Sequence, residues 1–370
     1  MRIALLSAAS SIHTVRWANA LAERGHSVRL FSLFRHAAKA GSISPAVSVY
    51  YLSGGYLRAL PAFRDGLSAF APDVLNVHYA TGYGTLARRS GFAPVLLSVW
   101  GSDVYDFPCK SPIHRHIVVR NLRAATAIAS TSERMAARVR ALCPHLPPLY
   151  ITPFGVDTRV FAPVPQARET GEVVIGIVKA LEPKYGVDIL LRAFARVTAQ
   201  IPGGTVRLKI YGGGSQRRAL EQLAKHLDIA PRVGFYGPVP HERVPEVLHG
   251  LDIFCAPSVS DSESFGVAAV EALACGIPVV AGAVDGFQEV LRDRQTGFLV
   301  PPRDVGALSE AMMCLVGDPV LRQRMGSAGR ADVQARFEWQ SCVTRMEQAL
   351  QAARNARVSG RSTGVDTSTP

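Results

Sequence analysis

Two successive series of short apolar runs, each run followed by a helical stretch, constrain this chain more than any other feature. The first series opens with Arg2–Ser7, a helix over Ser10–Arg24 and Val28–Phe31. The helix places Val15, Ala18, Leu21 and Ala22 on one face, and Gly25 ends it. Val74–His78, Val95–Val99 and Ala127–Ser130 read as further strands, and Ser132 as the cap of a helix running to Leu142. The second series holds Val173–Val178, a helix over Val187–Ile201, Arg207–Tyr211, Val233–Tyr236, Ile253–Ala256 and Pro278–Ala281. Uninterrupted apolar strands of this length are buried on both faces, as in parallel sheets. Pro144–Gly171 separates the series with six prolines, Pro144, Pro147, Pro148, Pro153, Pro163 and Pro165. Two doubly wound α/β domains facing a central cleft are expected. The first covers 1–150, a linker 151–171 and the second domain 172–337. An amphipathic helix over 338–354 is expected to cross back to the first domain, and 355–370 to be a disordered polar tail.

A chain of 370 residues with 48 % hydrophobic composition can bury two cores of ordinary size. No stretch reaches the roughly 18–20 apolar residues of a membrane span. The apolar start around Leu5 and Leu6 lacks the length of a signal peptide. A cytoplasmic protein is expected. The six cysteines form no C-x-x-C pair and join no histidine at zinc spacing, which fits a reduced compartment and argues against a disulfide framework. The formal charge is +12, and Lys110–Arg140 alone holds seven Lys/Arg against one acid, Glu133. That run reads either as a solvated helical face or as contact with an anionic membrane surface or a phosphate-bearing acceptor. No zinc finger, RNA-binding aromatic motif or aromatic-interleaved basic segment is present, which argues against a nucleic-acid partner.

The stretch "SESFGVAAVEALACGIPVVA" carries the clearest chemistry. Glu263 and Glu271 are eight residues apart. A helix starting near Phe265-Gly266 puts Glu263 just before its N-terminus and Glu271 roughly 7–8 Å along it. The first amides, at Gly266 and Val267, can hold phosphate, and Gly266 allows close approach. Glu271 can accept both ribose hydroxyls and Glu263 the hydroxyls of a sugar. Alternatively, Glu263 is a helix-start acid and Glu271 a solubilising residue. The apolar remainder of the helix argues for burial, and a buried carboxylate needs a partner. In "VKALEPKYGVD", Lys179 and Lys184 follow a strand and suit a diphosphate leaving group, where the alternative is two exposed loop lysines.

Together these residues resemble the retaining glycosyltransferases of family four, of GT-B architecture. Glu263 and Glu271, with Ser-Phe-Gly after the first, match that family's E-x7-E signature. Ala274–Val280, Asp285–Val290, Thr296–Pro302 and Pro153–Asp157 resemble further family segments. The resemblance implies two Rossmann-like domains and a nucleotide-diphosphate sugar as donor, with UDP expected. It implies diphosphate contacts for Lys184 and Lys179, the latter where many members have arginine. It also implies donor-sugar contact by Glu263, ribose contact by Glu271 and nucleobase placement at Val239. The acceptor is expected to be a glycan or lipid-linked saccharide, the location cytoplasmic or peripheral at the inner membrane face, and the resemblance implies neither a cofactor nor a metal.

Besides Lys179, Asp285 is a departure in the second domain, since many members carry glycine there; the others lie in the first domain. The loop Ala8–His13 lacks the family's glycines, and His13 reads as a loop residue or an acceptor-side contact. Trp100 stands where the family often has histidine. A tryptophan cannot take a proton, but it can stack on a sugar and donate its N–H. Asp103 and His78 are the neighbouring polar candidates, against a capping role for Asp103 and a core role for His78. The resemblance implies oxocarbenium-like departure of the leaving phosphate, which itself can take the acceptor proton. A non-catalytic nucleotide-sugar-binding protein is the competing reading. A nicotinamide oxidoreductase fits less well, since no G-x-G-x-x-G opens the first helix.

Overall fold

The computed structural model describes residues 1–39, 41–164, 171–201 and 205–362, with side chains to residue 356. Two compact units emerge, 1–154 with 340–370, and 155–339. The first unit is a seven-stranded sheet of β1 (Arg2–Leu6), β2 (Ser27–Leu33), β3 (Val47–Leu52), β4 (Val74–His78), β5 (Val95–Val99), β6 (Ala127–Ser130) and β7 (Leu149–Ile151). Its spatial order is β3-β2-β1-β4-β5-β6-β7, and every pair is parallel. β4 and β5 are buried at every position; their apolar runs are interrupted only by Asn76 and His78 in β4 and Ser98 in β5, and Ser98 Oγ donates to Asn76 Oδ1 at 2.8 Å. Leu6, Phe31, Phe63, Leu97 and Met135 share one core. Each such side chain contributes about 1.5–3 kcal/mol on burial. Ser132 caps the helix Glu133–Leu142 by accepting from the Met135 amide at 3.1 Å.

The second unit is a six-stranded sheet of β8 (Val173–Val178), β9 (Val206–Tyr211), β10 (Val233–Gly237), β11 (Ile253–Ala256), β12 (Val279–Gly282) and β13 (Gly297–Val300). The order is β10-β9-β8-β11-β12-β13, again parallel throughout. Ile175, Leu190, Phe194, Leu208, Cys255 and Met312 form its core.

Three strands absent from the sequence reading are β3, β7 and β13. β3 is exposed at Ser48, Tyr50 and Tyr51 or nearby half-buried positions, and β7 has no fully buried residue. Neither shows the unbroken apolar run of a central strand. The closing helix extends over Trp339–Ser362, so helical structure replaces the first part of the tail expected from 355 onward. Residues 363–370 of that tail, and 165–170 of the expected linker, lie outside the described residues. Glu347 of this helix accepts from His26 Nε2 at 2.8 Å and pairs with Arg24 at 3.5 Å, which explains its membership of the first unit.

Candidate active site

In the second unit, strand order reverses at β8: β9 lies on one side and β11 on the other. Parallel strands bring all their carboxyl ends to one edge, and the crevice at such a reversal is where open α/β sheets hold ligands. The segments leaving this edge are tied together by backbone bonds. Lys179 N donates to Tyr211 O (2.9 Å), Gly212 N to Gly237 O (2.7 Å), and Val259 N to Lys184 O (2.9 Å). Two glycines make these approaches possible. Gly212 has φ +150°, and a Cβ there would lie 1.8 Å from Lys179 O. Gly186 has φ +64°, and its Cβ would lie 2.2 Å from Pro257 O.

These loops bring Lys179 to Glu263. Their Nζ and Oε2 are 2.5 Å apart, with the lysine side chain 24 % exposed and the glutamate 9 %. At that distance the ion pair is also within reach of a charge-assisted hydrogen bond from the ammonium to the carboxylate. Burial alone would lower the pKa of Lys179. The Glu263 carboxylate, helped by Tyr185 and Glu271, reverses that and raises it. Lys184 sits in the single turn Pro183–Tyr185 and has no ion-pair partner among the described residues. Both ammonium groups face the Tyr185 ring, Lys179 at 4.6 Å and Lys184 at 5.1 Å from its centroid. The positive charge of Lys179 is thus balanced inside the protein, while that of Lys184 is available to an anion.

The helix after Glu263 runs over Val267–Ala274, with Gly266 at its N-cap in the left-handed region, φ 73°. A Cβ on Gly266 would meet the Phe287 ring at 2.6 Å, so backbone conformation and packing both demand glycine. Lys179, Ser258, Gly266 and Ala268 line one small concavity, which joins the lysine to the helix start. Val267 is half-buried at the first helical position. Asp285 opens the helix Asp285–Val290, and its amide donates to Asp261 Oδ1 at 3.1 Å. Glu271 is 5 % exposed, which answers the question of solubility against burial. Its partner is His241, whose Nε2 lies 2.8 Å from Oε1. Val239 is half-buried between the end of β10 and the turn that starts at His241. A roomier cavity of about 610 Å³ includes Leu251, Gly276, Pro278 and Arg330 and touches none of the expected site residues.

In the first unit, His13, His78, Trp100 and Asp103 come together. His13 is the second residue of the helix Ile12–Glu23 and stacks on Phe154 at 4.0 Å. Trp100 follows β5, is 7 % exposed, and meets His78 at 4.1 Å, Phe154 at 5.3 Å, Tyr79 at 5.4 Å and His13 at 5.9 Å. Tyr79 holds φ 72°, an uncommon conformation for a bulky residue. Asp103 is 1 % exposed and accepts from the amides of Ala80 (2.8 Å), Gly101 (2.9 Å) and Trp100 (3.1 Å). Burial raises its pKa and the amides oppose that shift. Its observed work is to fasten the Trp100 turn to the segment after β4.

His78 is fully buried, with Nδ1 2.9 Å from Ser7 Oγ and Nε2 unpartnered. Burial, and secondarily His13, holds its pKa down to about 3. A histidine depressed below its unfolded value contributes stability that is present above about pH 6.5 and is lost as pH falls toward the folded value. Each pH unit in that window is worth about 1.4 kcal/mol. Wild-type urea midpoints are therefore expected to fall between about pH 6.5 and pH 4, and His78→Gln to flatten the fall. Equal slopes in the two proteins would contradict this.

Sequence reading did not identify Tyr185 or His241 as site residues. Tyr185 was detectable only as the neighbour of Lys184. His241 is remote from Glu271 along the chain, and only folding brings them into contact.

Residues 161–332 match the family model "Glycosyl transferases group 1", and residues 2–132 match "Glycosyl transferase 4-like". The chain is 32 % identical over 293 residues to a GDP-mannose-dependent alpha-(1-6)-phosphatidylinositol monomannoside mannosyltransferase of Mycolicibacterium smegmatis, covering 74 % of each chain. It is 28 % identical to a D-inositol 3-phosphate glycosyltransferase of Nocardia farcinica, covering 93 % of this chain and 84 % of the relative. Among solved structures, sucrose-phosphate synthase from Thermosynechococcus elongatus superposes with TM-score 0.82 at 24 % identity, over 96 % of this chain and 100 % of that one. Anabaena HepE in complex with UDP and glucose superposes with TM-score 0.79 at 18 % identity, over 95 % and 100 %.

Proposed function

The chain belongs to the glycosyltransferases of group 1 and 4-like type, GT-B enzymes acting with nucleotide sugars, and from that premise we propose that it transfers a sugar with retention of configuration. The observation that carries the donor assignment is the pairing pattern at the edge of the second sheet. Glu263 neutralises Lys179, Lys184 keeps its charge, and the helix beginning at Val267 presents its first amides beside them. The uncompensated cation and the helix start suit a diphosphate. Glu271 suits the ribose, Val239 the base, and Glu263 the transferring sugar. The anomeric C–O bond breaks with its electrons passing to the diphosphate. An acceptor hydroxyl attacks from the same face, and its proton passes to a leaving phosphate oxygen. No protein base is needed, which accommodates Trp100. In this reading the wall built by His13, Trp100 and Tyr79 serves the acceptor, with Asp103 and His78 supporting Trp100 from within.

UDP is the expected nucleotide. A specific observation favours GDP-mannose as the second reading: the relative at 32 % identity is named as GDP-mannose-dependent. Relatives named for phosphatidylinositol mannosides support a lipid-linked acceptor. No described helix is long and apolar enough to cross a membrane. We assign the membrane contact to the helix Pro112–Arg123, where Ile113 is 72 % exposed and Lys110, Arg115, His116 and Arg120 are exposed around it. That combination suits peripheral binding at the inner face of an anionic membrane.

Thermal stabilisation by a panel of UDP- and GDP-sugars tests the donor. A ligand at 100 times its Kd adds about 2.7 kcal/mol to stability. Stabilisation by no nucleotide sugar would reject the assignment, and binding without transfer or hydrolysis would make the protein a non-catalytic binder. Sedimentation with anionic vesicles is expected to weaken in an Arg115→Ala/Arg120→Ala variant, and sedimentation indifferent to anionic lipid would reject the membrane contact.

A further inference from the structure

We propose that His241 is a positioning residue for donor recognition, acting through Glu271. The inference rests on the donor reading above and extends it to a residue outside the matched signature. The geometry is specific. Glu271 is 5 % exposed, and a carboxylate so buried needs a compensating donor. His241 Nε2 supplies it at 2.8 Å. The imidazole also packs against the Phe161 ring, 5.7 Å between centroids, which limits its freedom to turn away. With Oε1 held, Glu271 retains Oε2 and its remaining lone pairs for ribose hydroxyls, in an orientation set before the ligand arrives.

Chain order adds a second consequence. His241 follows Val239 and Pro240 directly, at the start of a single turn. The segment assigned to the nucleobase therefore continues into the residue that orients the ribose-binding carboxylate. A base seated at Val239 and a ribose seated at Glu271 share one support, so recognition of the nucleoside is coupled across it. The phosphates have separate anchors in Lys184 and the start of the helix Val267–Ala274.

The test measures calorimetric affinity of the full chain for UDP, GDP, their 2′,3′-dideoxy forms and inorganic pyrophosphate. Wild type, His241→Ala and His241→Gln are compared. His241→Ala is expected to weaken the better-bound nucleoside diphosphate about tenfold, as loss of a hydrogen bond to a charged group does. Pyrophosphate affinity should stay within about twofold, and the dideoxy form should lose most of the mutational effect. Gln can also donate to the carboxylate and is expected to restore affinity. Unchanged nucleotide affinity in His241→Ala, equal loss for pyrophosphate, equal loss for the dideoxy form, or failure of Gln to rescue would each overturn the inference. Wild type that binds neither UDP nor GDP would instead overturn the donor reading, and this inference with it.

Discussion

Glu263→Gln is expected to lower kcat for donor turnover by about 10²-fold or more, on the scale of losing one electrostatic contact to the reacting centre. The donor KM should stay level or fall. Glu263 is nearly buried and its charge cancels that of Lys179 at 2.5 Å. Gln keeps the shape and removes the charge, so Lys179 becomes an unbalanced cation beside the proposed phosphate site and is expected to hold the donor at least as well. On the proposed donor reading the sugar loses a carboxylate contact, so the chemical step is expected to slow. Stability is also expected to fall, by about 1–3 kcal/mol, below the usual range for breaking a fully buried pair because Lys179 is partly solvated. Lys184→Ala should behave oppositely, raising KM for the donor and weakening pyrophosphate while leaving stability nearly level. Steady-state donor hydrolysis with a calorimetric scan separates the two patterns. An unchanged kcat in Glu263→Gln would remove Glu263 from the reaction.

Gly212→Ala is expected to lower the melting temperature by about 5–10 °C and to weaken donor binding at least tenfold. The glycine has φ +150°, and a Cβ would sit 1.8 Å from the carbonyl oxygen of Lys179. That obstacle is backbone, so it cannot be relieved by a rotamer change. Strain of this kind costs about 1–3 kcal/mol, and in a unit the size of residues 155–339 each kcal/mol shifts the melting temperature by about 2–4 °C. The least costly relief moves the Lys179 segment outward, which separates Nζ from Glu263. Gly25→Ala is the control: its φ is also positive, +81°, but a Cβ there meets nothing within 4 Å. It should reduce stability without changing donor affinity. Equal donor affinity in Gly212→Ala and wild type would show that the site does not depend on this close approach.

The central strands were legible because burial on both faces writes itself as a mostly apolar run, even where a buried polar residue such as Asn76 or Ser98 interrupts it. Val74–His78, Val95–Val99, Ala127–Ser130, Val173–Val178 and Ile253–Ala256 agree with the structure to the residue. Strands at the margins, such as Val47–Leu52, alternate with exposed positions and lose that signal. The carboxylates Glu263 and Glu271 were legible for a related reason. Glu271 sits in a helix otherwise too apolar to face water, and Glu263 lies four residues before that helix begins, so their separation is a local property of the chain.

The sequence by itself determined two parallel α/β series, the helix that starts at Gly266 and the residues that flank it, because these depend on neighbours a few positions away. Only the tertiary structure decided the pairings. Lys179 meets Glu263 across 84 positions, and Glu271 meets His241 across 30. It also decided what surrounds Trp100. Asp103, read as a polar neighbour, is bonded to three amides, and His78 lies fully buried against the indole. A carboxylate's partner is whichever donor the fold brings within about 3 Å, and the sheet order that brings it there is set by packing of the whole unit.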